Sequence, residues 1–151
     1  MALAIATITE SMTGISVAIP DLRIYDKHEI KEGWTAYDCP LLAPRPNDFI
    51  SGLTVIPVNF GTGTAHKLDV SYTMTYRYFH KPVGSGDLAF TWSEMVDYVY
   101  KIFDAILIND ALTGLIDLTL TSVSEFGEVV DGANNLFHGC DISFRVLEFV
   151  N

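Results

Sequence analysis

The stretch Lys67-Leu68-Asp69-Val70-Ser71-Tyr72-Thr73-Met74-Thr75-Tyr76-Arg77-Tyr78-Phe79-His80 decides the fold. Leu68, Val70, Tyr72, Met74, Tyr76 and Tyr78 fall on one parity, and Asp69, Ser71, Thr73, Thr75 and Arg77 fall on the other. A period of two is the signature of a β-strand in a sheet with one buried face and one wetter face. Just upstream, residues 50–60 (ISGLTVIPVNF) are rich in Val, Ile and Thr and read as a second strand. Pro57 has no N–H for a ladder, which puts this strand at an edge or at a bulge. Gly61-Thr62-Gly63-Thr64 lies between the two runs and reads as a turn, so together they predict one long hairpin.

Downstream the period changes. Residues 81–90 read as a loop with Gly84 and Gly86, and Thr91-Trp92-Ser93-Glu94 has the form of a capping box. Trp92, Met95, Val96, Val99, Ile102, Phe103, Ile106 and Leu107 then make one stripe at helical spacing, predicting an amphipathic helix over about 92–108 that ends at Asn109-Asp110. After Gly114, alternation returns. Ile116, Leu118 and Leu120 face inward against Asp117, Thr119 and Thr121, and 125–130 reads as a short strand. Asp131-Gly132-Ala133-Asn134-Asn135 is a turn cluster. The last strand, 139–150, sets Cys140, Ile142, Phe144 and Val146 against Asp141, Ser143 and Arg145.

The N-terminal third is less regular. Leu3, Ile8, Met12 and Ile15 fall near helical spacing and predict an N-terminal helix over 2–14, with Gly14 as its terminator. The β-branched Thr7, Ile8, Thr9 and Thr13 count against it. Leu22–Tyr25 reads as a short strand. Residues 26–48 (DKHEIKEGWTAYDCPLLAPRPND) hold charges, three prolines and no sustained period, which makes a long Pro-rich loop. It carries Trp34, Tyr37, Leu41 and Leu42, more apolar surface than a polar linker holds. Either it folds back over the core or it packs on another chain.

The expected architecture is a single α+β domain over 1–151: a mainly antiparallel sheet with a long hairpin, one amphipathic helix packed on one face, and the N-terminal helix. Composition agrees. Hydrophobic residues are 49% of the chain, enough for a full core without disulfides or metal, and the aromatic content argues against disorder. The net charge is −10, with 19 acidic residues against 9 scattered Lys and Arg. A chain that grips phosphates needs clustered bases, so tight nucleic-acid binding and anionic membranes are disfavoured. Two cysteines, Cys39 and Cys140, are too few for a disulfide framework. No run reaches the roughly 18 apolar residues of a membrane span, and the N-terminus lacks a basic n-region, which points to folding in a reducing cytoplasm.

Patterns that carry chemistry are weak. His28, His66, His80 and His138 make no metal-ligand spacing, and no serine sits in a nucleophile elbow. Asp131, Asn134, Asn135, His138, Cys140 and Asp141 crowd ligand types together but do not fit a calcium loop, so they read as a turn entering a strand. A Cys39–His pair and an acid–base carboxylate pair have no local pattern behind them. Tyr72, Tyr76, Arg77 and Tyr78 interleave as in sheets that bind single strands, but the tyrosines share the core parity of Val70. No enzyme chemistry, cofactor or metal is expected.

The order of elements resembles the tail terminator, or tail completion, proteins of long-tailed bacteriophages. The resemblance lies in the 67–78 strand after its hairpin, the Gly-containing loop, the amphipathic helix ending Ile106-Leu107-Ile108-Asn109-Asp110-Ala111-Leu112, and the closing Phe137-His138-Gly139-Cys140-Asp141-Ile142-Ser143-Phe144-Arg145-Val146. It spans roughly 50–150, and the 26–48 loop has no place in it. It implies a virion protein assembled in the host cytoplasm. Its partners would be copies of itself in a hexameric ring, the tail-tube protein and the head–tail connector, with DNA passing through the lumen unbound. Trp34, Tyr37, Leu41, Leu42, Phe49, Lys81 and Phe90 are the candidate interface residues, since apolar and aromatic anchors carry interface energy. A tail-tube or connector subunit, and a ligand-binding domain or enzyme with a pocket between helix and sheet, are the alternatives.

Overall fold

A computed structural model describes residues 5–58, 67–84, 88–109 and 116–150. The fold is mixed α+β, with a mostly antiparallel six-stranded sheet and two α-helices. The helices are α1 (Ile5–Gly14) and α2 (Leu88–Leu107). The strands are β1 (Arg23–Ile24), β2 (Leu41–Pro44), β3 (Ile50–Val58), β4 (Lys67–Pro82), β5 (Ile116–Val130) and β6 (Leu136–Val150). The sheet runs β1-β2-β4-β6-β5, and β3 also pairs with β4.

β4 organises the sheet. On one side it pairs with β6 from Leu68↔Val150 to Pro82↔Phe137. On its other side β3 covers the first half and β2 covers the second, both antiparallel. Residues 45–49 bulge out between β2 and β3, pinned by Arg45 N–H to Thr75 O and Thr75 N–H to Phe49 O. β3 pairs with nothing but β4 among the described residues, and Gly52, at φ 62°, kinks it. The expectation of an edge or bulged strand around Pro57 therefore holds on both counts. The turn expected at Gly61–Thr64 lies outside the described residues, as do Gly86, Asp110, Gly114 and the side chains of Ile116, Leu118 and Leu120. β5 and β6 form a hairpin about the 131–135 turn. At Gly139 the β4 and β6 backbones come so close that a Cβ would run into the Tyr78 carbonyl.

The main core lies on the Tyr72 parity of β4. Val70, Tyr72, Met74, Tyr76 and Tyr78 pack with Cys140, Ile142, Phe144 and Val146 of β6, under Ile8 and Met12 of α1 and Met95, Ile102 and Ile106 of α2. Each such side chain contributes roughly 1.5–3 kcal/mol by leaving water. Both helices lie on this face.

Several expectations change. α1 ends at Gly14 as expected, but not through a left-handed cap. Gly14 stays in the right-handed region and passes the chain into a 3-10 turn, Ile15–Ala18. α2 begins at Leu88, so Thr91 is already inside the helix and the capping box does not form. Glu94 turns instead to His80. The 26–48 segment is not all loop, because Leu41–Pro44 forms β2, with which β1 pairs in parallel.

The opposite face of the sheet is wet only at one end. Ser71 and Thr73 are half-buried, but Thr75, Arg77 and Phe79 are buried. A second cluster covers them: Trp34, Leu41, Ala43, Phe79, Val129 and Phe137, with Tyr25 and Cys39 at its margin. The segment before β2 folds back over this end of the sheet. Alternation along β4 could not show that, because Thr and Arg on the second parity read as a solvent face.

Candidate functional site

Two polar centres and two apolar surfaces stand out. The first polar centre anchors the second cluster. Asp141, fully buried, accepts two hydrogen bonds from Arg77, Nε at 2.6 Å and Nη2 at 2.9 Å, and a third from Arg45 Nη1 at 3.1 Å. Arg77 Nη1 also donates to Val130 O at 2.9 Å. Arg45 donates to Asn47 O and Asp48 O, so it fastens the 45–49 bulge. A buried carboxylate needs such partners, and two guanidiniums provide them. These arginines floor an open cleft of about 470 Å³ between Lys31, Asn47 and the 131–134 turn, but their donors already serve Asp141 and backbone carbonyls.

The turn beside it is organised by Asp131. Its carboxylate accepts from Ala133 N, Asn135 N, Asn135 Nδ2 and, across the chain, Trp34 N. Burial pushes this acid up, yet the hydrogen bonds from Trp34, Asn135 and Ala133 outweigh it and hold it below the ordinary 3.8. The cluster of ligand-type residues at 131–141 is thus a turn and a structural ion pair. Among the described residues no group of three His, Cys, Asp or Glu could hold a metal ion.

The second polar centre joins β4 to α2. Tyr78 Oη lies 2.6 Å from His80 Nδ1, and His80 Nε2 lies 3.3 Å from Glu94 Oε1. An ionised Glu94 only accepts, so Nε2 donates to it and Nδ1 accepts from Tyr78. Burial lowers the His80 pKa below 6.5, against the pull of Glu94. Burial also pushes the Cys140 thiol up to about 12, and Cys39 up to about 11. Neither thiol is a poised nucleophile, and Cys140 packs as a small apolar side chain. The seam between α2 and the sheet, where a ligand pocket would lie, is filled by Tyr76, Tyr78, Met95, Ile102 and Phe144.

The seven candidate interface residues do not share a surface. Leu41 and Leu42 are fully buried on opposite faces of the sheet, and Trp34 is buried between Tyr25 and Lys31. Of the two fates left open for the loop, these three side chains take the first and build this chain's own core. Phe49 is half-buried, edge-on to Tyr76 at 5.7 Å, and Lys81 is half-buried opposite His138. Tyr37, at 89% exposed, and Phe90, at 61%, do face outward.

The larger exposed apolar surfaces are elsewhere. Leu53, Val55 and Ile56 of β3 are each at least half exposed. On the far edge of the sheet, Trp92, Val96 and Phe126 form a trough of about 380 Å³, with Phe126 edge-on to Trp92 at 6.3 Å. A bulge between Ser124 and Gly127 carries Phe126 there, with Glu125 at φ 52° and Gly127 at φ 150°. The signals were in the chain. β3 is apolar at consecutive positions rather than alternate ones. The α2 stripe is wider than its buried strip, Met95, Ile102 and Ile106, and leaves Trp92, Val96 and Leu107 in solvent.

No protein-family model matches this chain, and no curated protein matches it.

Proposed function

We propose that this chain is a structural subunit of a phage tail, a tail terminator that closes into a ring on the tail tube, ends its polymerisation and meets the head connector. The observation that carries this is the pairing of a filled interior with large apolar surface left at both edges of the sheet, on β3 and on α2–β5. A self-sufficient monomer seldom leaves such surface on an unprotected edge strand. We take β3 and β4 to be one long hairpin arm, in keeping with their register from Ile50↔Met74 to Val58↔Lys67. The element order over 50–150 resembles that family. The acidity suits a passage for DNA, since a net charge of −10 repels the phosphate backbone.

Negative-stain microscopy and light scattering of the purified protein, alone and with isolated tail tubes, test this. Closed rings that cap tube ends are expected. Open stacks of rings would instead make it a tube subunit. A protein that stays monomeric and leaves tube ends bare would overturn the assembly role.

A further inference from the structure

We infer that two copies of this chain meet head to tail, with the β3 edge of one seated in the Trp92–Val96–Phe126 trough of the next. This deepens the assembly proposed above and rests on it. The two surfaces sit at opposite ends of the order β3-β4-β6-β5. Three strand spacings, roughly 14 Å, separate those edges, so no chain can fill its own trough with its own β3.

Charge selects the occupant. Glu125 turns to Arg77 Nη2 at 3.6 Å, whereas Asp97 lines the trough and the exposed Glu128 lies two residues past Phe126. A trough packed on its own twin would bring these carboxylates together. The stretch from Phe49 to Ala65 carries no charged residue and is the longest neutral run in the sequence. On a chain of net charge −10, it is the segment that approaches an acidic rim without repulsion. Val55, which pairs with Val70, supplies a side chain of the size and polarity the trough takes, while Ile56, opposite Asp69, points to the other face of the sheet. Among the described residues β3 pairs with no strand but β4, which leaves its other backbone edge to pair. Unlike surfaces meeting in this way form a heterologous contact, which propagates until rotation closes it into a ring.

The test uses Val55→Asp and Val96→Asp, each at a position half exposed in the folded chain, with Val55→Ser and Val96→Ser as milder partners and circular dichroism to certify folding. Wild-type protein is expected to assemble. Each Asp variant alone is expected to sediment as one 16.7 kDa chain. Their equimolar mixture is expected to form a dimer that grows no further, because one intact edge meets one intact trough. A folded variant that keeps the wild-type assembly, or a mixture that stays monomeric, overturns the contact and leaves the ring standing. If Val55→Asp dissolves the assembly while Val96→Asp does not, the strands pair with each other and the trough is not the seat. Wild-type protein that is monomeric at every concentration, alone and with isolated tail tubes, overturns the contact and the assembly role together.

Discussion

Tyr76 and Tyr78 lie two residues apart on one strand, both fully buried, yet their hydroxyls have opposite fortunes. Tyr78 donates to His80, while Tyr76 Oη has no hydrogen-bond partner among the described residues. An unpaired buried hydroxyl is a cost, and removing it is neutral or favourable. Tyr76→Phe is therefore expected to leave stability unchanged or raise it by up to about 1 kcal/mol. Tyr78→Phe takes the donor from a buried ring nitrogen and should cost about 1–3 kcal/mol. Urea midpoints at equal m-value separate the two; equal losses would sink the assignment. His80 adds a pH signature. Its folded pKa is lowered from 6.5, so the unfolded chain binds the proton more readily. Its contribution is complete above pH 6.5 and declines as the pH falls below it. Denaturation midpoints between neutral pH and the carboxylate range should fall in the wild type and run flatter in His80→Gln. A parallel pair of curves would remove His80 from the account. No spacing rule links Tyr78, His80 and Glu94 in sequence, because the helix that brings Glu94 there docks from outside the strand.

Strands and helices followed the chain wherever one period was sustained. The 67–80 alternation gave β4, and the 92–107 stripe gave the body of α2. What escaped was set by long-range partners. Leu41–Pro44 forms β2 because β4 offers an open edge there, and no local pattern marks four apolar residues after a proline as a strand. Arg77 looked wet because its partner, Asp141, stands 64 residues away. The apolar surfaces were legible in part: of the candidate interface residues Phe90 and Tyr37 are exposed, but Leu41 and Leu42 serve the core. The 131–135 turn shows how one residue ties distant segments. Asp131 holds the turn and, through Trp34 N, the fold-back segment that covers Phe79. Asp131→Ala should cost roughly 2–4 kcal/mol, since it strands the buried Trp34 N–H and three part-buried donors of the turn. Its effect should show in the near-ultraviolet signal of Trp34 before global unfolding. The wild-type carboxylate favours folding above pH 3.8 and loses that contribution as the pH falls through its lowered folded value. An Asp131→Ala variant with unchanged midpoint and an unperturbed Trp34 signal would contradict this role.

At the scale of the whole molecule, charge and apolar surface oppose each other. Copies carrying −10 each repel, while in the proposed contact the exposed apolar side chains of the β3 edge and the α2–β5 trough attract. Repulsion between acidic surfaces is screened by salt: the Debye length falls from about 30 Å at 0.01 M to about 8 Å at 0.15 M. Apolar burial is not weakened by that change. Self-assembly through a neutral strand should therefore tighten as salt rises across this range, read as a shift of sedimentation coefficient toward the ring at fixed protein concentration. An interface built on Lys and Arg against carboxylates would respond the other way. With only nine basic residues, of which Arg77 and Arg45 are held by Asp141, the chain has few cations to offer such an interface. Assembly that loosens with added salt would mean ion pairs dominate the contact, and would move the interface away from β3 toward exposed lysines.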